Sequence, residues 1–143
     1  MVRKVFYIYQ NMENGILHFI ETPLLQNASL LLLRLLVGQL FMVSGWNDLK
    51  DTKARAQSMG LSPRFTKFIG AAELLGGLGV ASGFLIQPAC IGLILILLGA
   101  IQKKVRVWKT GYWGKTGQGW SYDLLIIACL LLLLVNNGGG WIV

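Results

Sequence analysis

Apolar residues in this chain gather into four long runs, and short polar stretches separate them. The runs cover residues 28–45, 65–86, 88–101 and 122–135. A helix needs about 20 mostly apolar residues to cross the hydrocarbon layer of a membrane, within a range of roughly 17–25. The first two runs have this length. Flanking residues extend the last two, through basic side chains that reach back to the headgroups and tryptophans at the membrane surface: Lys103, Lys104, Arg106, Trp120 and Trp141. The pattern predicts four membrane-spanning helices.

The first 27 residues follow a different pattern. Val5, Ile8 and Met12 recur at helical spacing, and polar residues fall between them. This spacing predicts an amphipathic helix that lies on the membrane surface and stops at Pro23, although a docking arm for a partner would show the same pattern. The predicted fold is therefore all-α: an N-terminal interfacial segment, residues 1–27, followed by an integral membrane four-helix bundle, residues 28–143.

Composition supports the membrane assignment. Of the 143 residues, 55% are hydrophobic and only 13% are charged, which is more apolar surface than a soluble domain of this length could bury. The net charge of +7 comes from short basic blocks between the apolar runs, as in membrane loops, so we expect membrane lipids and no nucleic acid as partners. The first residues do not have the length or polarity pattern of a cleaved signal. Cys90 and Cys129 lie inside apolar runs and are expected to be small buried hydrophobes.

The distribution of basic residues predicts the orientation. The stretch from Lys50 to Lys67, between the first and second spans, and the loop between the third and fourth runs each hold five Lys or Arg residues. By the positive-inside rule, both loops lie in the cytoplasm and both termini lie outside. A short turn at Gln87 and Pro88 makes the second and third helices antiparallel neighbours.

Small residues recur at helical spacing along three of the runs. Because lipid gives helices no hydrophobic reason to associate, close approach through small residues has to supply the contact. The second run has two such stripes, which predicts close neighbours on two sides. The predicted packing positions are Gly38 in the first run, Ala72, Gly76, Gly79 and Gly83 along one stripe of the second, Gly70 and Gly77 along the other, and Gly92 and Gly99 in the third.

Two charged residues stand deep inside apolar runs, Arg34 in the first and Glu73 in the second, whereas Lys67 and Asp123 lie at the starts of their runs. If Trp46 and Arg64 mark the cytoplasmic ends of the first two spans, Arg34 and Glu73 lie at similar depths in the membrane. An isolated charge at the bilayer centre costs at least about 2.5–3.5 kcal/mol, so a buried Arg34–Glu73 pair, or a small polar cavity around the two, is the natural hypothesis. In the alternative, Glu73 is protonated, hydrogen-bonded to Ser44, Gln39 or a carbonyl, and serves only packing. Ser44, Trp46 and Asp123 are candidates for a cytoplasmic vestibule, although Asp123 could equally cap the start of the fourth helix.

Several catalytic and cofactor chemistries find no support in the pattern. Gly114, Lys115 and Thr116 resemble the end of a phosphate-binding loop, but the first glycine of that motif and its strand are missing. The single histidine, His18, lies outside the four runs, so neither a metal cluster nor a Ser-His-acid arrangement can be assembled. We expect no catalytic residues, no metal and no cofactor of the chain's own.

Several stretches together resemble the DoxX family of small four-span membrane proteins, which includes DoxD-like members. They are "LLLRLLVGQLFMVSGWNDLK", "SMGLSP", "GAAELLGGLGVASGF" and "TGYWGKTGQGWSYDLLIIACLLLLLVNNGGGW", and they cover most of residues 28–141. Arg34, Glu73 and Asp123 match residue by residue. Relatives often carry a histidine where this chain has Ser44, and a second one near Trp108. The resemblance implies a four-helix bundle of the bacterial inner membrane that associates with redox systems, such as thiosulfate:quinone oxidoreductases or oxidative-stress complexes.

The leading functional hypothesis is an accessory subunit that packs within a larger, redox-linked membrane complex and is not an enzyme on its own. A second hypothesis is a quinone- or lipid-binding subunit of an oxidoreductase, with Glu73, Arg34 and Trp46 lining a pocket between helices. A third is a small-molecule or ion carrier that uses the buried charged residues. Other integral membrane subunits are the expected partners, and a homo-oligomer is an open alternative.

Overall fold

Helices account for the regular structure in the part of the chain that the computed structural model describes, residues 23–114 and 118–140. The helices are α1 (Pro23–Lys50), α2 (Thr52–Met59), α3 (Pro63–Ser82), α4 (Ile86–Arg106) and α5 (Trp120–Val135). The four long helices correspond to the four apolar runs, although the second run extends past the end of α3 into the turn before α4; the predicted all-helical bundle is confirmed. The short α2 lies inside the first basic loop and was not predicted.

Residues 23–27 belong to α1, although the sequence pattern assigns them to the N-terminal segment. Pro23 is the first described residue of this helix, a position at which a proline is tolerated because the first turn does not use its missing N–H. Three predicted features lie outside the described residues and stay predictions: the amphipathic helix before Pro23, Lys115 and Thr116 of the Gly-Lys-Thr stretch, and the anchor Trp141.

Helices α1 and α3 run antiparallel, with their backbones in contact. A methyl group added at Gly38 would lie 2.7 Å from the carbonyl oxygen of Gly77, and one added at Gly45 would lie 2.6 Å from the amide nitrogen of Leu74. Real side chains do not fit into such gaps. The glycine contacts therefore fix the register, with Gly38 beside Gly77 and Gly45 beside Gly70.

The turn between α3 and α4 lies at residues 83–85, not at Gln87 and Pro88 as predicted. Gly83 ends α3 in the left-handed conformation, with φ 82°, and Leu85 precedes α4 with φ 57°. Gln87 and Pro88 are already in the first turn of α4, where a proline costs no hydrogen bond. The short link still makes α3 and α4 neighbours: Gly76 packs against Leu93 and Gly79 against Ala89.

Apolar side chains fill the interior of the bundle and also cover its outside. The buried cluster draws on four helices and includes Phe41, Val80, Leu93 and Leu130. Helices α1 and α4 are long and apolar enough to cross a membrane, and α5 is a shorter apolar helix. Leucines on α1, α4 and α5 face outward, as expected of a surface in contact with lipid: Leu32, Leu36, Leu95, Leu98, Leu125 and Leu132.

The two ends of the bundle differ, and we name them by their residues. The basic end holds α2, the C-terminal ends of α1 and α4, and the first turns of α3 and α5. The tail end holds the first turns of α1 and α4, the last turns of α3 and α5, and the tail segment, residues 136–140. Both ends carry buried polar side chains.

Candidate functional site

Arg34 forms a buried polar site near the tail end. Its side chain leaves α1 and is 1% exposed. Nε donates to the carbonyl oxygen of Val80 at 3.2 Å, Nη2 to that of Ala81 at 3.1 Å and Nη1 to that of Gly138 at 3.3 Å. Val80 and Ala81 lie in the last turn of α3, where carbonyl groups have no partner within the helix and carry partial negative charge. Arg34 therefore caps α3 from a neighbouring helix.

The tail segment folds back over this arginine. Gln87 of α4 donates to the side-chain oxygen of Asn137 at 2.7 Å, and the backbone N–H of Gly140 donates to the Asn27 side chain of α1 at 3.0 Å. Gly83 leaves room for the guanidinium, because an added methyl group would lie 2.7 Å from Arg34 Cζ. Three helices and the tail segment are thus joined around one cation.

Glu73 forms a second buried polar site, on α3 and nearer to the basic end. It is 9% exposed. The Ser44 hydroxyl of α1 is a hydrogen-bond partner of its carboxyl group. Among the described residues, no hydrogen-bond partner reaches its Oε2 atom. The carboxyl group thus has an oxygen buried in the bundle that is open to a further bond.

Asp48 extends this site toward the surface, and sequence reasoning missed it. Its side chain is 1% exposed, and its Oδ1 lies 2.6 Å from Nε of Arg55, whose own side chain is 43% exposed. The charges of both residues act on Glu73. The signal that could have revealed Asp48 is its position one helical turn after Ser44 and three residues after Gly45, on the face that packs on α3.

The Arg34 and Glu73 sites are separate, so the predicted direct pair is wrong. The glycine contacts place Arg34 beside Ala81, eight residues from Glu73, which is about 12 Å at the helical rise of 1.5 Å per residue. No ion pair joins the two among the described residues. The prediction aligned Trp46 with Arg64, whereas the Gly45–Gly70 contact shifts α3 by about five residues relative to that alignment.

Comparison with known families gives one match. The sequence model of the DoxX family matches residues 29–107, just over half of the chain. This chain belongs to the DoxX family. The match includes Arg34, Ser44, Asp48, Arg55 and Glu73, and it ends before α5. No curated protein matches the chain, and no solved structure does.

Asp123 lies beyond the part matched to the DoxX family, and it is paired. Its Oδ2 lies 2.8 Å from Nζ of Lys104; the Asp123 side chain is buried, and that of Lys104 is 14% exposed. The pair ties the first turn of α5 to the end of α4. Trp46 is 60% exposed and points away from the bundle interior, whereas Ser44 contacts Glu73. The three residues of the predicted vestibule therefore have three different environments in this DoxX protein.

The small residues of the DoxX bundle fall into two groups: those on α3 pack against neighbouring helices, and those on α4 face outward. On α3, Gly70 and Gly77 face α1, while Gly76 and Gly79 face α4, and Ala72 is half-buried. On α4, Gly92 and Gly99 face outward, and no described atom lies within 4 Å of a methyl group added at either. Helix α4 turns its other side inward, through Cys90, Leu93 and Leu97, so the predicted packing role of Gly92 and Gly99 is not used among the described residues and stays a prediction.

Lysine also anchors the loop at the basic end of this DoxX protein. Nζ of Lys103 donates to the carbonyl oxygen of Met59 and, at 3.2 Å, to that of Gly60. These carbonyls lie at the end of α2, where a cation is favourable. Within the described ranges, no group of three or more His, Cys, Asp or Glu side chains is placed to hold a metal ion.

Proposed function

We propose that this DoxX protein is a non-catalytic integral subunit of a larger, redox-linked membrane complex. The observation that carries the proposal is the outward face of α4. Gly92 and Gly99 lie on this face two turns apart, each open, and Leu95 projects between them with 64% of its surface exposed. The two glycines leave gaps in the helix surface on either side of the leucine, and another apolar helix can pack its side chains into these gaps.

The contrast with α3 supports this proposal. Small residues are retained in membrane helices where backbones approach closely, and the glycines of α3 are each covered by a neighbouring helix of the same chain. Gly92 and Gly99 allow the same close approach, and no described residue of this chain covers them. A helix of another subunit would use them in the same way. The redox link rests on family membership alone.

The proposed setting is the bacterial inner membrane, with the basic end in the cytoplasm and both termini outside. The charges support this orientation. Lys103 and Lys104 lie near the end of α4, and Lys50 and Arg55 lie around α2, all at the basic end. Basic residues at one end of a bundle favour the cytoplasmic side.

The test is co-purification at natural abundance, followed by native mass spectrometry. We expect the wild-type chain to carry membrane proteins that hold a redox cofactor, and the Gly92→Leu/Gly99→Leu variant to lose them. Leu36→Phe, an exposed change on α1, is the matched control and should keep them. A wild-type chain that is isolated alone, or a variant that keeps the same partners, would contradict the proposal.

A second candidate function is a quinone- or lipid-binding subunit of an oxidoreductase. The observation that favours it is the open Oε2 atom of Glu73, which can accept a hydrogen bond from a hydroxyl group on a headgroup. Organic extraction of the purified protein tests this function. A quinone or lipid bound at one per chain in the wild type and lost in Glu73→Gln would support it, and a wild type without ligand would exclude it.

A further inference from the structure

We propose that Glu73 is a proton-binding site that exchanges protons with the basic end of the bundle and not with the tail end. This inference goes beyond the proposed function and does not depend on it. It rests on three features: a buried carboxyl oxygen with no partner, a line of polar groups leading from it to one surface, and an arginine that closes the other direction.

The first feature is the state of the Glu73 carboxyl group. Its Oε2 atom is buried and has no hydrogen-bond partner among the described residues, while Ser44 serves the carboxyl group as a donor. An ionised carboxylate inside a membrane bundle is costly unless it is paired. A bound proton removes this charge and turns the acceptor oxygen into a hydroxyl donor. Glu73 can therefore be either an ionised carboxylate or a protonated carboxylic acid, depending on the pH on the side from which protons reach it.

The second feature is the connection to the basic end. Ser44 and Asp48 lie one turn apart on the face of α1 that packs on α3, and Asp48 is paired with Arg55 at 2.6 Å. The Asp48 carboxyl group is buried, whereas Arg55 reaches the surface. A hydroxyl group both donates and accepts, and Ser44 lies beside Glu73 and one helical turn from Asp48, so in this proposal Ser44 links the two carboxyl groups. The polar line Glu73, Ser44, Asp48 and Arg55 thus leads from the interior to the loop region.

The third feature is the closure toward the tail end. The buried Phe41 lies between the levels of Glu73 and Arg34, and the buried Val80 lies at the level of Arg34. Arg34 then places a fixed positive charge across the bundle, bonded to the end of α3 and to the tail segment. A positive charge in a low-dielectric interior opposes the passage of a proton. Protons from the tail side therefore do not reach Glu73.

The surrounding charges fit this assignment. Asp48 of α1 and Arg55 of α2 are the charged groups that act on Glu73. The charged residues at the ends of α4 and α5, Lys104 and Asp123, are paired with each other. The fields of one carboxylate and one guanidinium thus act on Glu73 among the described residues, and those two groups already form an ion pair with each other. No Lys or Arg side chain among the described residues forms an ion pair with Glu73.

Infrared difference spectroscopy of the protein in oriented vesicles tests the proposal. A pH decrease on the basic side is expected to produce the carbonyl stretch of a protonated buried carboxylic acid, which Glu73→Gln abolishes. Asp123→Asn, at a buried acid that is paired with Lys104, is the matched control and should keep the band. The same pH decrease on the tail side should produce no band. A band that persists in Glu73→Gln, or that responds to the tail side, would overturn the proposal.

A second measurement needs no variant. Dicyclohexylcarbodiimide dissolves in the bilayer and reacts with protonated carboxyl groups: the O–H adds across one C=N bond, and the product rearranges to a stable N-acylurea, without any oxidant. We expect modification of Glu73 in native membranes, increasing as the pH on the basic side falls. Peptide mass spectrometry locates the label. An unmodified Glu73 at every pH would overturn the proposal even if Glu73→Gln fails to fold.

Discussion

Arg34 and Glu73 are the charged residues within the apolar stretches of α1 and α3, yet their surroundings differ. Arg34 donates to carbonyl oxygens of two helical residues and one tail residue, and it closes the tail end. Glu73 has a serine as its close partner and one open oxygen. Among the described residues, the arginine site is complete and the glutamate site is not.

The difference has a physical cause in the helix backbone. The last carbonyl groups of a helix have no partner within it, so a cation at the end of α3 finds acceptors without needing an acid. Glu73 lies in the middle of α3, where each backbone N–H is already used in the helix. An acid in such a position depends on side chains, a ligand or a proton. Charged residues in membrane helices should therefore be judged by their distance from a helix end.

Removing Lys104 should have the largest effect on stability, at the basic end. Lys104→Met leaves the buried Asp123 carboxylate without its partner, and we expect a loss of about 3–5 kcal/mol in the free energy of unfolding in detergent. The double variant Lys104→Met/Asp123→Leu should recover most of this loss. If the single variant is as stable as the wild type, Asp123 does not depend on the pair.

Removing Arg34 should have the next largest effect. Arg34→Met leaves three carbonyl groups without their donor, and we expect a loss of about 3 kcal/mol, since each unsatisfied buried group costs about 1–3 kcal/mol. Arg34→Lys should lie between the wild type and Arg34→Met, because an ammonium group cannot reach all three acceptors. The tail segment should also become accessible to protease in Arg34→Met, and continued protection of it would argue against the cap.

The glycine contacts between the two sites should come third. Gly45→Ala places a methyl group against the backbone of α3, and we expect a loss of about 1–3 kcal/mol through overpacking. Gly99→Ala is the matched control. It meets no described atom, and it should leave the isolated protein unchanged or more stable by up to about 1 kcal/mol. Equal losses in both variants would contradict the register described above.

Neutralising Glu73 should have the smallest effect. Glu73→Gln keeps the shape of the side chain and removes an acid that has little compensation within the chain. We therefore expect a change within about 1 kcal/mol in the free energy of unfolding, of either sign. The same measurement on Arg34→Met supplies the comparison. A loss from Glu73→Gln as large as that from Arg34→Met would mean that Glu73 is a structural residue.

The sequence predicted the helices well and their alignment poorly. Four apolar runs became four long helices, because the length of an apolar run in a membrane protein directly reflects the thickness of the bilayer. The two stripes of α3 indicated two neighbours, and the structure shows α1 and α4 there. Which glycine faces which is a property of two helices together. The assumed alignment of Trp46 with Arg64 was therefore wrong, and with it the Arg34–Glu73 pair.

Two further differences have local causes. Asp48 was missed because Trp46 was taken as the end of the first span, whereas α1 continues in helical form to Lys50 and keeps Asp48 on its buried face. The outward position of Gly92 and Gly99 could not be predicted, because a small residue satisfies a close contact inside the bundle as well as one outside it.

A double-mutant cycle on Arg34 and Glu73 tests the central claim, that these are two independent sites, most directly. It compares the unfolding free energies of the wild type, Arg34→Met, Glu73→Gln and the double variant. Sites more than about 7–10 Å apart that share no partner usually add within about 0.3–0.5 kcal/mol. The account predicts additivity within that limit. A favourable coupling energy well above it, up to about 3 kcal/mol, would show that the two residues form a pair and would contradict the account.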